Sequence, residues 1–238
     1  MNTFLLAAAN LAETDYTGFT FFIGTMAMMA ATAFFLLERN SVEGKWRLSL
    51  TVSALITGIA CVHYYYMRDF WIQTGTSPTA FRYIDWILTV PLMCVEFYLL
   101  TKPFGAKGST LFKLIVASTW MLVTGYIGEA AILGGGSVLW GFISTIGYLY
   151  IVYEVFAGEA AQANASSNSK AQQSAYNAMK WIVSIGWSIY PIGYFLGYLA
   201  GGTDENALNA IYNLADIINK IAFGLVIWAA AKSESAKA

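Results

Sequence analysis

Lys220 stands four residues after Asp216 inside the otherwise apolar stretch 206–231. On a helix that spacing is about 6 Å along the axis and one shared face. A second apolar stretch, 81–101, holds Arg82, Asp85 and Glu96. Asp85 and Glu96 are eleven residues apart, three near-complete turns, so they share a face at an axial separation of about 16 Å. Thr89 lies on that face one turn from Asp85, and Arg82 lies one turn to the other side. An amine buried about 14 residues into an apolar helix sheds its charge readily and becomes nucleophilic, which suits Schiff-base chemistry with a carbonyl. Asp85 and Asp216 nearby would hold such a Schiff base protonated. Two carboxylates aligned along one face, with an amine on another helix, also read as a proton relay. A plain structural Lys–Asp pair accounts for the same spacing, and spacing alone selects no carbonyl ligand.

Such groups need elements that hold them away from water. Of the 238 residues 58% are hydrophobic, 16% aromatic and only 11% charged, and the mean hydropathy is +0.56. A soluble domain of this size cannot cover so much apolar surface, and the composition excludes a disordered chain or a disulfide scaffold. A net charge of −1 gives no basic footprint for nucleic acid. Cys61 and Cys94 sit inside apolar stretches and read as free packing residues. A single histidine, His63, excludes a His-rich metal site, so no metal is expected.

Seven stretches reach the length of a membrane span: 16–37, 48–67, 81–101, 111–132, 137–153, 181–203 and 206–231. The fold class expected is an all-α membrane protein, a bundle of seven transmembrane helices over 16–232. Residues 1–15 read as an N-terminal leader or tail and 233–238 as a C-terminal tail. Gly134, Gly135 and Gly136 mark the turn between the fourth and fifth spans. Residues 68–80 are expected as a loop with a hairpin around Gln73-Thr74-Gly75, and 158–174 as a solvated, flexible connection. Ten of the thirteen Lys and Arg, among them Arg39, Lys45, Arg47, Lys102, Lys107, Lys113, Lys170 and Lys180, fall at one end of the spans. Positive charge stays in the cytoplasm, so the N-terminus is expected outside and the C-terminus inside.

Three segments carry a family likeness: Arg82-Tyr83-Ile84-Asp85-Trp86-Ile87-Leu88-Thr89-Val90-Pro91, Trp187-Ser188-Ile189-Tyr190-Pro191, and Tyr212-Asn213-Leu214-Ala215-Asp216-Ile217-Ile218-Asn219-Lys220. In these motifs, in their order and spacing, the chain resembles the microbial rhodopsins, and among them the proteorhodopsins, from about Tyr16 to its C-terminus. The resemblance implies all-trans retinal joined covalently to Lys220 as a protonated Schiff base. It implies Asp85 as counterion and primary proton acceptor, Asp216 as second counterion, Arg82 as a residue tuning both, and Glu96 as proton donor, with Thr89 completing a three-position signature. His63 matches a histidine that modulates the acceptor's proton affinity; beside Tyr64, Tyr65 and Tyr66 it also reads as a core or interfacial residue. Where many relatives carry a tryptophan that reaches this histidine from a neighbouring protomer, this chain has Phe22.

Trp86, Trp187, Tyr190, Tyr194 and Tyr212 would pass for ordinary core. With the resemblance, Trp86 and Trp187 become the two faces of a slot for a flat polyene, with Met93 and Met121 on the remaining wall. Pro191 is expected to kink its helix. Met93 falls on the family's colour-tuning position, and an apolar, polarisable side chain there implies green absorption. Where archaeal pumps hold a release carboxylate, this chain has Leu208. The implied function is a light-driven outward proton pump in the bacterial plasma membrane, a transporter rather than an enzyme, assembled as a pentamer or hexamer. The alternative is a light sensor that signals through a transducer.

Overall fold

Asp15 starts the first helix: its carboxylate accepts the Gly18 amide at 2.7 Å and the Trp71 indole N–H at 3.2 Å, capping one helix and tying it to the end of the next. The computed structural model describes residues 11–199 and 204–236. Every regular element among them is helical: α1 Tyr16–Glu38, α2 Gly44–Thr74, α3 Thr79–Thr101, α4 Gly108–Glu129, α5 Gly136–Phe156, α6 Glu159–Ala165, α7 Lys170–Trp181, α8 Ile189–Leu199 and α9 Glu205–Ser235. The long helices α1 to α5 and α9, six in all, are long and apolar enough to cross a membrane. A seventh crossing is built in two pieces, α7 and α8, joined by a π-helical segment at Ile182–Gly186.

The surface inverts the soluble pattern. Large apolar side chains such as Ile23, Leu55, Phe112, Ile146, Ile185 and Ile218 are at least half exposed, while Arg82, Asp85, Thr89, Glu96, Asn213, Asp216 and Lys220 are buried. Hydrocarbon satisfies the first set, and only a protein interior satisfies the second. The bundle has two ends. The first carries the start of α1 and the α2–α3, α4–α5 and α8–α9 connections; the second carries the other connections and the end of α9.

Three expectations need correction. The stretch 68–80 is not a hairpin: α2 continues to Thr74 and stops at Gly75, whose φ of 65° puts it in the left-handed region and whose N–H bonds Trp71 O at 2.8 Å. Tyr64, Met67 and Trp71 pack with Phe21 and carry the helix past the apolar run, so Arg68 is a buried helical residue. The stretch 158–174 is not a loose connection either. Its alanines favour helix, Glu154 accepts the Ala160 amide at 3.0 Å, Ser169 caps α7, and Ala160 and Gln172 are fully buried.

The third correction concerns the sixth span, expected at 181–203. Its helix begins at Lys170, and residues 200–203 lie outside those described. Pro191 does not kink a continuous helix. It occupies the first turn of α8, where a missing N–H costs nothing, and the break lies one turn earlier. The Trp187 carbonyl, which residue 191 cannot serve, accepts the Tyr190 amide at 3.2 Å instead. Carbonyls loosened by the π segment find side-chain donors: Tyr148 hydroxyl donates to Ser184 O at 2.5 Å and the Asn219 amide to Gly186 O at 3.1 Å.

Asp15→Ala removes a cap and the Trp71 bond together. Its thermal midpoint, followed by far-UV circular dichroism in detergent, should fall by the equivalent of about 1 kcal/mol; an unchanged midpoint would contradict the capping role.

Candidate functional site

The polar face of α9 sets the site. Asn209, Asn213, Asp216 and Lys220 recur every three or four residues and are all buried, so one stripe of the helix faces the bundle axis. On α3 the residues Arg82, Asp85, Trp86, Thr89, Met93 and Glu96 form the facing stripe. The two stripes meet at Lys220. Its Nζ lies 2.5 Å from Asp85 Oδ2 and 3.0 Å from Asp216 Oδ2. All three side chains are essentially sealed from the outside.

The two carboxylates differ in what else they hold. Asp216 accepts from Tyr190 hydroxyl at 2.6 Å, from Tyr64 hydroxyl at 3.0 Å and from the Trp86 indole at 3.2 Å, besides Lys220. Asp85 has Lys220 on one oxygen, and its Oδ1 has no hydrogen-bond partner among the described residues. His63 Nδ1 approaches that oxygen to 3.9 Å but bonds its own helix, at Ile59 O, at 2.9 Å. A carboxylate wrapped in donors keeps its charge, whereas one with a free oxygen has a place for a proton.

Arg82 turns away from this pair. Its Nη2 donates to Asn209 Oδ1 at 2.8 Å and Asn213 Oδ1 at 3.0 Å, and its guanidinium stacks among Phe21, Trp86 and Tyr212. It forms no ion pair with Asp85 or Asp216 among the described residues. Thr89 donates to the Asp85 backbone carbonyl at 2.9 Å rather than to its side chain. Glu96 lies fully buried toward the second end, beside Ser49 of α2, with neither carboxyl oxygen in a formed hydrogen bond.

Beside Lys220 opens a cavity between α3, α4, α5, α8 and α9. Trp86, Met93, Met121, Trp187, Tyr190, Pro191, Tyr194, Tyr212 and Lys220 all line it, so the residues named for a cofactor pocket converge on one space. An apolar chamber with an amine and carboxylates at one place suits a long apolar ligand carrying a carbonyl. Phe22 lies away from it, on the surface under the Arg68 guanidinium at 5.4 Å.

Sequence reading missed Glu129, Asn209, Asn213 and Asn219. Glu129 also lines the cavity and takes a hydrogen bond from Thr79 at 3.3 Å; its signal was its position as the first charge after a clean apolar run. The asparagines carried a signal too, a polar stripe in register with Asp216 and Lys220.

A profile of the bacteriorhodopsin-like protein family matches residues 15–234. The sequence is 51% identical over 238 residues to the green-light absorbing proteorhodopsin of Gamma-proteobacterium EBAC31A08, covering 99% of this chain and 94% of that one. It is also 51% identical over 240 residues, with the same coverage, to the blue-light absorbing proteorhodopsin of Gamma-proteobacterium Hot 75m4. The crystal structure of a blue light-absorbing proteorhodopsin from Med12 superposes with a TM-score of 0.81 at 49% identity, over 92% of this chain and 100% of that one. Xanthorhodopsin, a light-driven ion pump with dual chromophore, superposes with a TM-score of 0.83 at 31% identity, over 95% and 97%.

Removing the amine leaves two buried carboxylates facing each other. Lys220→Ala should lose about 3–5 kcal/mol of stability, and adding Asp85→Asn should recover part of it. Equal thermal midpoints for wild type and Lys220→Ala would contradict the pairing.

Proposed function

The chain belongs to the bacteriorhodopsin-like protein family, and from that premise we propose that it is a light-driven outward proton pump of the proteorhodopsin kind in a bacterial plasma membrane. The observation that carries this reading is the unequal pair at Lys220, continued on the same face of α3 by Glu96. All-trans retinal, joined to Lys220 Nζ as a protonated Schiff base, would supply light absorption and a light-driven change of shape at that atom. Trp86 and Trp187 would clamp it, Tyr190, Pro191, Tyr194, Tyr212, Met93 and Met121 would complete its walls, and the packed aromatics would keep water out.

Asp85 Oδ2 is the nearest base to Nζ and takes its proton, because Asp216 is already engaged by Tyr64, Trp86 and Tyr190. Asp216 stays charged as the second counterion. Arg82, held by the two asparagines, places positive charge on the first-end side of Asp85. His63 stands close enough to the free oxygen of Asp85 to modulate its hold on the proton. Glu96 then returns a proton to Nζ from the second end. A light sensor has no need of a buried acid there, so Glu96 supports pumping over signalling.

The concentration of Lys and Arg at the second end supports placing that end in the cytoplasm. Transfer to Asp85 then runs outward. The apolar girdle fits a lipid bilayer, and the family resemblance supports a pentamer or hexamer.

Adding all-trans retinal should give a green-absorbing pigment that Lys220→Ala fails to form, since Met93 leaves that wall of the cavity apolar; a maximum in the blue would contradict the Met93 argument. Flash spectroscopy separates the two carboxylates. Asp85→Asn should abolish proton transfer from Nζ. Glu96→Gln should leave that step intact and slow the return by roughly 10²-fold. Acidification should inactivate the wild type, because a protonated Asp85 has no site for another proton. An unchanged return in Glu96→Gln would overturn the donor assignment.

A further inference from the structure

Glu96 must recover its proton through packed side chains, about 6 Å along α2 from Ser49 to Lys45, and the described residues provide no continuous hydrogen-bonded route. What they provide is a set of buried polar atoms that lack partners. Gln172 is fully buried on α7, yet neither its Oε1 nor its Nε2 has a hydrogen-bond partner among the described residues. Trp46, 2% exposed on α2, has an equally unpartnered Nε1. An interior amide is costly unless bonded, and where protein supplies no bond, water is its ordinary partner.

Trp46 follows Lys45 in sequence at one rim of the bundle, and Gln172 lies one turn beneath that rim. Ser169 Oγ donates to Glu234 Oε2 at 3.0 Å, and Lys45 Nζ bonds Glu234 Oε1 at 2.9 Å. That bridge joins the starts of α7 and α2 to the end of α9. A surface cavity lined by Lys45, Trp46 and Glu234 opens beside it. Gln172 follows Ser169 by three residues, so it lies about 4.5 Å inward along α7. One turn further in, Tyr176 packs on Phe97 with ring centroids 5.3 Å apart, and Phe97 adjoins Glu96 in sequence. On α2 the same descent runs from Trp46 to Ser49, which lies beside Glu96.

We propose that Gln172 and Trp46 line a hydrated passage from the Lys45–Glu234 rim to Glu96, with Gln172 as the residue that positions its water. The inference rests on Glu96 being the internal proton donor. A water held by Gln172 gives a proton toward the Glu96 carboxylate and takes one from water at the rim, so each transfer is balanced. Neither Gln172 nor Trp46 exchanges a proton of its own. An apolar side chain at 172 removes the water's partner and interrupts the chain, while leaving the Lys220 site untouched.

The test is flash spectroscopy of the retinal-loaded full chain with a pH-indicator dye. Gln172→Leu should keep the absorption maximum and the transfer to Asp85, and should slow proton uptake and the return by roughly tenfold. The slowing should steepen as pH rises, with Gln172→Asn recovering part of the rate. Trp46→Phe, which keeps the ring and deletes the N–H, is the second variant and should slow the same step. Uptake unchanged in either variant that forms pigment would overturn the passage, as would equal slowing of both steps. Glu96→Gln measured alongside separates the premises: if it too leaves the return unchanged, the donor assignment fails rather than the passage.

Discussion

Everything in the bundle answers to one buried cation. Moving an ammonium group out of water costs several kcal/mol even after relaxation, and the cost is offset only by close, well-oriented anions. Asp85 and Asp216 provide them at 2.5 and 3.0 Å. Because Asp216 sits on the cation's own helix and Asp85 does not, α3 must cross α9 at that depth. Two further elements are then drawn in to satisfy Asp216, α2 through Tyr64 and α8 through Tyr190, and α3 contributes again through Trp86. Gly24 leaves room for the Tyr64 ring, which a Cβ would strike.

In the proposed pump the same interaction also gives direction. Under the proposed function, full engagement of one carboxylate and partial engagement of the other makes a proton's first move unequal, and Glu96 repeats the acidic chemistry about three turns toward the opposite end. The broken helix α7–α8 fits this arrangement. Its π segment aims the Ser184 and Gly186 carbonyls at Tyr148 and Asn219, two residues that also line the cavity. The irregular backbone therefore lies against the site, where protein donors satisfy it, rather than against lipid.

Much of this was legible because membrane physics is severe. Charges within apolar stretches stand out, and Lys220, Asp216, Asp85 and Glu96 were readable from spacing alone. The grouping of Trp86, Tyr190 and Tyr212 around one cavity was legible only through the family likeness, since these residues look like any aromatic core. What hydropathy misread were the segments at the ends. Residues 68–74, 159–165 and 170–174 are polar enough to resemble loops, yet they fold as helix because Trp71 packs and bonds Asp15, the small alanines pack, and Glu154 and Ser169 cap. The partners of Arg82 were hidden for another reason. Coulombic intuition pairs a guanidinium with a carboxylate, whereas here two neutral asparagines and a ring of aromatics hold it.

The central claim is that light moves protons outward through this site. It is tested most directly by illuminating an unbuffered suspension of expressing cells supplied with all-trans retinal and recording external pH. The account predicts acidification that a protonophore abolishes. Alkalinisation that a protonophore enhances would mean that another ion is moved, and coloured cells with no pH change would mean a sensor; either result would contradict it.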